Sequence, residues 1–566
     1  MTTLQTRLET HDLVAQEGPK ALGAFYTDDQ IAQFLVWWAI RSGQDTVMDP
    51  SFGGGVFLRA ACERLTELGG QPACQVFGVE VDAMAHRRAV EDLCSDFGVR
   101  TQNLPLSDFF ALDSTVMQPV DVVVGNPPFI RYQRFCGDAR RTALRRVAAE
   151  GVQLSELSSS WAPFLVHSIA MLKTGGRLAM VVPMEMCHAA YALPVLDHLA
   201  KSFAKVTFLT FRDKLFPDLS ENTFLLLAEG KGAHSTAFLW RDLTNADRLP
   251  EMQQRGHWRV PGTHRIDAQT LSRGHERLVE HFLPRKTRDL YRELRKLAQV
   301  RRLGDVADVG IGYVTGANDF FHLHPDEARM WGIPESFLKP AVRRGRALLG
   351  LRFTRDDWRQ ALETGEAGYL LLIEPESPLP ASLRRYLQNG ESQGVSKTFK
   401  CRMRSPWFCV PHVHQSDAFL SYMSGAVPRL VANHADAVAT NSLHVLRLHA
   451  HTRLTRDALA ALWQTFLTRL SVEVEGHPLG GGMLKLEPTE AENVILSLPP
   501  VTNGELARLA EELDGLVRAG NDRAAQEQAD AEILQKGIGL TQADCRLLHE
   551  GAATLRERRY SRIPRA

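Results

Sequence analysis

Residues 121–130 read DVVVGNPPFI, a run of branched apolar residues cut off by an asparagine, two prolines and a phenylalanine. The run has the composition of a buried strand, and its ending dictates how that strand stops. Proline carries no N–H and fixes φ, so Pro127 ends sheet pairing and leaves its own carbonyl oxygen free. Each residue before a proline is pushed toward extended geometry, so Asn126 and Pro127 are both held in one narrow shape. The stretch therefore predicts a rigid shelf at a strand end. It carries two acceptors, the Asn126 side-chain oxygen and the Pro127 carbonyl, with the Phe129 ring beside them.

The surrounding chain supports a sheet for that strand. Over residues 1–230, helix-like stretches such as DDQIAQFLVWWAIRSG and SWAPFLVHSIAMLKTGG alternate with strand-like ones such as DTVMDP, CQVFGVEVD and RLAMVVP. This alternation predicts an α/β fold with a Rossmann-like, mostly parallel sheet and helices on both faces. Ligands of such sheets bind beyond the carboxyl ends of the strands, where the unusual residues fall. Residues 285–302, RKTRDLYRELRKLAQVRR, predict a basic helix with Leu290, Leu294 and Leu297 on one face. Beyond it the pattern becomes a mixture of short strands and loops to about residue 500, and helical spacing then returns. The implied division is a catalytic domain over 1–245, a linker with the basic helix over 246–302, a mixed α+β domain over 303–500 and a helical segment over 501–566.

Bulk properties narrow the setting. A chain of 566 residues is too long for a single core. No stretch reaches the roughly 18–20 apolar residues of a membrane span, and the polar N-terminus does not read as a secretory signal. The eight cysteines are scattered without CxxC pairs, which points to reduced thiols in the cytoplasm and to no metal site. Formal net charge is zero, so any nucleic-acid surface must concentrate its positive charge locally.

Three further strand ends carry chemistry. In VMDPSFGGGVFLRA, Gly53, Gly54 and Gly55 let the backbone approach a ligand closely between a strand and a helix. Glu80, in FGVEVD, ends the next strand, where such sheets place an acid for ribose hydroxyls. The loop is not GxGxxG, and Asp49 just before it would repel a pyrophosphate. A nucleoside without phosphate, such as S-adenosylmethionine, fits better. In LSDFF, Asp108 can accept from an adenine amino group while Phe109 packs on the base. The Asn126–Phe129 shelf suits a planar aromatic amine, with two N–H donors and a flat ring. Such an amine is a poor nucleophile because its lone pair is delocalised, and fixed acceptors on its hydrogens favour the pyramidal nitrogen of the transition state. Preorganised groups of this kind commonly supply about 3–4 kcal/mol each.

These residues resemble the γ-type N6-adenine DNA methyltransferases of restriction–modification systems, a family with the class I methyltransferase fold. The order is the same: cofactor motifs, then (N/D/S)PP(Y/F/W), then target recognition. By that resemblance FYTD corresponds to the family's YTP motif, with Thr27 near the methionine carboxylate. Asp49, Pro50, Gly53 and Gly55 form the DPxxGxGxFL loop, Glu80 binds ribose, and Asp108 and Phe109 hold the cofactor adenine. Asn126, Pro127 and Phe129 hold the target base, and Phe216, or alternatively Phe224, stacks on its other face. Asp28 stands where the family usually has proline, and Phe52 where it often has cysteine.

The rear half is similar to the family's recognition regions, through VGIGYVTGANDFF (309–321) and GGGMLKLEPTEAENVILSLP (480–499). Around these, Arg343, Arg344, Lys400, Arg402 and Arg404 are candidates for DNA contacts. The resemblance implies an S-adenosylmethionine-dependent enzyme acting on double-stranded DNA, with an adenine flipped out of the helix. It also implies a restriction–modification role; a separate restriction endonuclease is a candidate partner, and of the oligomeric states a monomer is favoured. Alternatives are N4-cytosine methylation, methylation of RNA or of a protein glutamine, and a non-catalytic DNA specificity subunit. C5-cytosine methylation needs a Pro-Cys nucleophile, and the chain has no such dipeptide.

Overall fold

The structure, a computed structural model, describes residues 28–560 apart from residue 114 and the segments 217–221 and 256–262. Thr27 lies outside the described residues. The chain forms two compact units, one made of the residues up to Phe282 together with Tyr560 and the other spanning Leu283–Arg559.

The first unit is built on an eight-stranded sheet. Its strands are β1 (Val47–Asp49), β2 (Val76–Gly78), β3 (Val120–Gly125), β4 (Leu172–Pro183), β5 (Phe203–Phe211), β6 (Thr223–Lys231), β7 (Ala237–Leu243) and β8 (His264–Asp267). They lie in the order β2-β1-β3-β4-β6-β5-β7-β8. Only β6 and β8 run against the rest, so the sheet is mostly parallel, as the alternation requires. Val122–Val124 and Leu178–Val182 are wholly buried, so both faces of the sheet's centre are covered. Helix Asp29–Ala39 supplies Ile31, Phe34, Leu35 and Trp38 to the core, and every residue of Trp161–Ile169 is buried. Asp28 explains one departure from the family pattern. It is the N-cap of helix Asp29–Ala39, accepting from Gln30 N at 2.8 Å, a role that an acid fills and a proline, without a side-chain acceptor, does not.

The second unit joins a five-stranded and a four-stranded sheet to a set of helices. The GYVTGAND segment leaves strand Ala307–Ile311 and enters the short helix Asn318–Phe321. The C-terminal helices pack within this unit: Asp514 Oδ1 accepts from Leu351 N at 2.6 Å, and Arg518 reaches Asp357 at 2.6 Å. The basic helix is shorter than its charge pattern suggests, running only over Arg285–Leu294. Val300–Arg302 instead forms a strand paired with Ile495–Ser497. The buried face of the helix is Thr287, Arg288, Tyr291 and Leu294, while Leu297 is exposed. Pairing with a remote strand overrides the helix propensity of the arginines here. No helix among the described residues is long and apolar enough to cross a membrane.

Candidate active site

The carboxyl ends of β1, β2 and β3 lie side by side, because Asp49 pairs with Gly78 and Met48 with Val123. From the end of β1 the chain turns through the glycine loop into helix Val56–Glu67. Gly55, at φ 80°, opens that helix in the left-handed region. A Cβ there would meet Ala89 Cβ at 3.1 Å, so glycine serves both the turn and the close approach. A Cβ at Gly53 would meet nothing within 4 Å, so space opens beside the loop at that point. Phe52, the second departure from the family pattern, covers Gly78, where a Cβ would stand 2.6 Å from its ring.

Glu80 ties the loop to the end of β2. One carboxylate oxygen accepts from Gly53 N at 2.7 Å, and the other accepts from Val81 N and Asp82 N, each at 2.8 Å. Glu80 is buried, yet a carboxylate has about four lone-pair sites, so three backbone donors leave it capacity for another. Asp49 is 1% exposed. Its Oδ1 accepts from Ser51 N at 3.0 Å, while Oδ2 is buried with no partner among the described residues. Burial, reinforced by the nearby Glu80 charge against the Ser51 hydrogen bond, pushes the Asp49 carboxyl up to about 8. A buried carboxyl with an unused oxygen at the mouth of the glycine loop is a polar group whose partner the described residues do not supply.

Asp108 and Phe109 follow at the next turn. Glu80 bridges to Leu106, which brings this turn against the end of β2. Asp108 caps a short 3-10 turn by accepting from Phe110 N at 3.0 Å, and burial raises its pKa. The Phe109 ring is 2% exposed, packed on Phe164 and His167 at 5.2 and 4.5 Å between centroids. Two apolar residues absent from the sequence reading stand out beside these acids: Val81 is 49% exposed and Leu106 43%. An apolar residue directly after a strand-terminal acid was the available signal for Val81.

The Asn126–Phe129 shelf is rooted against Asp49. A Cβ on Gly125 would lie 2.7 Å from Asp49 Oδ1, so the glycine preceding the shelf is demanded by the acid that opens the glycine loop. Asn126 is half-buried, and Pro127 and Phe129 are buried. Asn126 Oδ1 is shielded from solvent, and a half-turn about χ2 exchanges it with Nδ2. Among the described residues no donor reaches the Pro127 carbonyl. Ser160, another residue the sequence reading missed, clamps the shelf from behind. Its hydroxyl donates to the Pro128 carbonyl and accepts from Ile130 N at 2.8 Å, and its own N–H donates to Ile130 O at 2.9 Å. Phe216 is buried in the connection between β5 and β6, and Phe224 is wholly buried within β6.

A model of the N-6 DNA methylase family matches residues 12–192, and a model of the C-terminal domain of Type II methyltransferase M.Eco57I matches residues 275–534. Residues 12–192 thus form an N-6 DNA methylase domain. Type II methyltransferase M.AccI of Acinetobacter calcoaceticus is 22% identical over 526 residues, covering 89% of this methylase and 91% of the relative. Type II methyltransferase M.XamI of Xanthomonas campestris pv. amaranthicola is 23% identical over 508 residues, covering 87% and 88%. Among solved structures, the Type IIL restriction-modification enzyme MmeI in complex with DNA aligns with a TM-score of 0.56 at 10% identity, over 94% of this methylase and 75% of that chain. The ATP-dependent Type ISP restriction-modification enzyme LlaBIII bound to DNA aligns with a TM-score of 0.52 at 10% identity, and there the methylase spans only 40% of the longer chain. Both likenesses show a shared fold.

In the second unit the candidate cations fall into three groups. Arg343 pairs with Asp319 at 3.7 Å and Arg344 with Glu366 at 3.7 Å. Arg404 is committed to the backbone, donating to the Thr315 and Val314 carbonyls at 2.8 and 2.6 Å, and so braces the GYVTG loop. Lys400 and Arg402 are exposed and enter no ion pair among the described residues. Arg343, Lys400 and Arg404 border one loop: Asp319, the partner of Arg343, follows it, a Cβ on Gly316 would stand 2.5 Å from Lys400 Cβ, and Arg404 holds the Val314 and Thr315 carbonyls.

Proposed function

We propose that this methylase transfers a methyl group from S-adenosylmethionine to the N6 amine of an adenine flipped out of double-stranded DNA at a specific sequence. Its role would be to protect DNA in a restriction–modification system, in the cytoplasm, as a monomer beside a separate endonuclease. The observation that carries the reading is the abutment of the Gly125–Asn126 shelf on Asp49. It brings an acceptor pair for an aromatic amine next to a loop fitted for a nucleoside.

The residues present fit S-adenosylmethionine. Asp49, with its unpartnered buried oxygen, suits the amino-acid ammonium, and the family resemblance assigns the carboxylate to Thr27, outside the described residues. Pro50, Gly53 and Gly55 line the loop, Glu80 retains acceptor capacity for ribose hydroxyls, and Asp108 suits the adenine amine. Phe109 backs the adenine site, and the exposed Val81 and Leu106 give it apolar walls. When bound, the group supplies an activated sulfonium methyl, so in-line placement of the acceptor accounts for most of the remaining rate. Asn126 and the Pro127 carbonyl accept the two amine hydrogens and favour a pyramidal nitrogen, while Phe129 and Phe216 stack on the base. Lys400 and Arg402 take DNA phosphates.

The deciding experiment incubates the protein with DNA and methyl-labelled S-adenosylmethionine, digests to nucleosides and follows the label. Label in N6-methyladenine is expected, and label in N4-methylcytosine, or none in DNA, overturns the reading. Asn126→Ala is expected to keep cofactor affinity and to lower kcat roughly 100- to 1000-fold. Full activity in that variant would exclude the shelf.

A further inference from the structure

The second unit carries one aromatic ring that its own folding does not use. Phe399 opens the short helix Phe399–Arg402 and is 62% exposed. Trp407 and Phe408, from the same stretch, pack against the core that holds Phe320 and Phe321. A lone exposed apolar residue would call for no explanation, but the surroundings of this one are specific. Lys400 Nζ lies 5.7 Å and the Arg402 guanidinium carbon 5.3 Å from its ring centroid. Lys397, Lys400 and Arg402 are all exposed, and none enters an ion pair among the described residues, although the chain as a whole is electrically neutral. Met403, 71% exposed, extends the apolar edge.

The mount is braced. Cys401 is wholly buried with its Sγ 3.7 Å from Thr315 O, Gly316 admits Lys400 only because it lacks a Cβ, and Arg404 ties the far end to Val314 and Thr315. Uncompensated cations attract a polyanion, and an exposed ring held among them offers a flat apolar face. Duplex DNA presents both complements, phosphates outside and base faces wherever a step is unstacked.

We propose that Phe399 is a base-stacking wedge: Lys397, Lys400 and Arg402 hold DNA phosphates while the ring lies against the face of an unstacked base. This rests on the reading of DNA as the substrate, and its test is independent of methyl transfer. The full chain is titrated by fluorescence anisotropy with a short mixed-sequence duplex carrying a central bulge, between about 50 and 200 mM salt. Phe399→Ala is expected to weaken binding roughly 5- to 150-fold, the range of a lost base–aromatic contact, with the slope of log K against log salt unchanged. Phe399→Trp retains affinity. Lys400→Gln with Arg402→Gln lowers the slope by about 1.8, two phosphates at 0.9 each. Wild-type affinity in Phe399→Ala at every salt concentration overturns the wedge. So does a slope change in that variant equal to that of the double charge variant, since the ring would then merely position cations. Failure of the functional reading looks different: these binding results would stand while no label enters adenine.

Discussion

Gly125 and Asp49, at the ends of adjacent strands, stand so close that a β-carbon on the glycine would lie 2.7 Å from the aspartate's Oδ1. Gly125→Ala therefore forces either the carboxylate or the strand end to move. Overpacking of this sort typically costs about 1–3 kcal/mol. Because the two motifs share the contact, cofactor affinity and kcat are expected to fall together. Gly53→Ala is the control for folding alone: its Cβ meets no atom of the chain within 4 Å, and the cost to stability is the left-handed backbone at φ 49°, about 1–2 kcal/mol. Urea unfolding on both variants reads the stability costs, and equilibrium cofactor binding beside kcat reads the coupling; a Gly125→Ala protein that loses rate but keeps its cofactor affinity would mean that the contact does not couple the two motifs.

Asp49 also sets a pH dependence. An acid held at about 8 in the folded protein and near 3.9 when unfolded keeps its proton longer in the folded state. The folded form is favoured at low pH, and that advantage is lost as pH climbs from about 4 to about 8, with a slope of up to about 1.4 kcal/mol per unit. Asp49→Asn is expected to flatten the unfolding free energy across pH 6–8, measured in urea. If the cofactor's ammonium takes the unused oxygen, binding near pH 7 must expel the proton. Calorimetry in buffers of different ionisation enthalpy is expected to show release of up to one proton in the wild type and none in Asp49→Asn.

The places of Glu80 and Asn126 just beyond β2 and β3 are readable from sequence because each is local grammar, an apolar run closed by a polar residue. Ser160 is not, since its partner Pro128 is 32 residues away and nothing near SSSW announces it. Arg404 reads as a DNA contact for the same reason in reverse: a cation's partner is invisible locally, and here the partners are the Val314 and Thr315 carbonyls. The basic stretch reads as helix to residue 302, whereas the helix stops at Leu294, because Val300–Arg302 becomes a strand only through Ile495–Ser497, far along the chain. What sequence hides is long-range pairing; what it displays is how strands end.

The Ser160 clamp gives a prediction that separates shelf geometry from cofactor binding. Ser160→Ala leaves the Pro128 carbonyl and Ile130 N–H without their shared partner, at a cost of about 1–3 kcal/mol. The cofactor loop is untouched, so the cofactor's Kd is expected to stay at its wild-type value. A slightly misplaced shelf lowers kcat by roughly 10- to 100-fold. Single-turnover methyl transfer beside cofactor titration decides the matter, and a loss of cofactor affinity matching the loss of rate would refute the separation.

Asp108 has two separable tasks. Its Oδ1 caps the turn that seats Phe109 and Phe110, and in the proposed function its carboxylate accepts from the cofactor's adenine amine. Asp108→Asn keeps a carbonyl oxygen for the cap, so folding stability should change by only a few tenths of a kcal/mol. Its amide nitrogen, however, turns a donor toward the adenine's own donor. Losing a hydrogen bond to a charged acceptor is expected to weaken S-adenosylmethionine binding roughly 10- to 100-fold. Asp108→Ala removes the cap as well and should lose about 1 kcal/mol of stability besides. Thermal unfolding without cofactor reads the cap, and calorimetric titration reads the acceptor. If Asn at this position binds the cofactor as tightly as Asp, the acid serves the turn alone and the adenine is held by the walls at Val81 and Leu106.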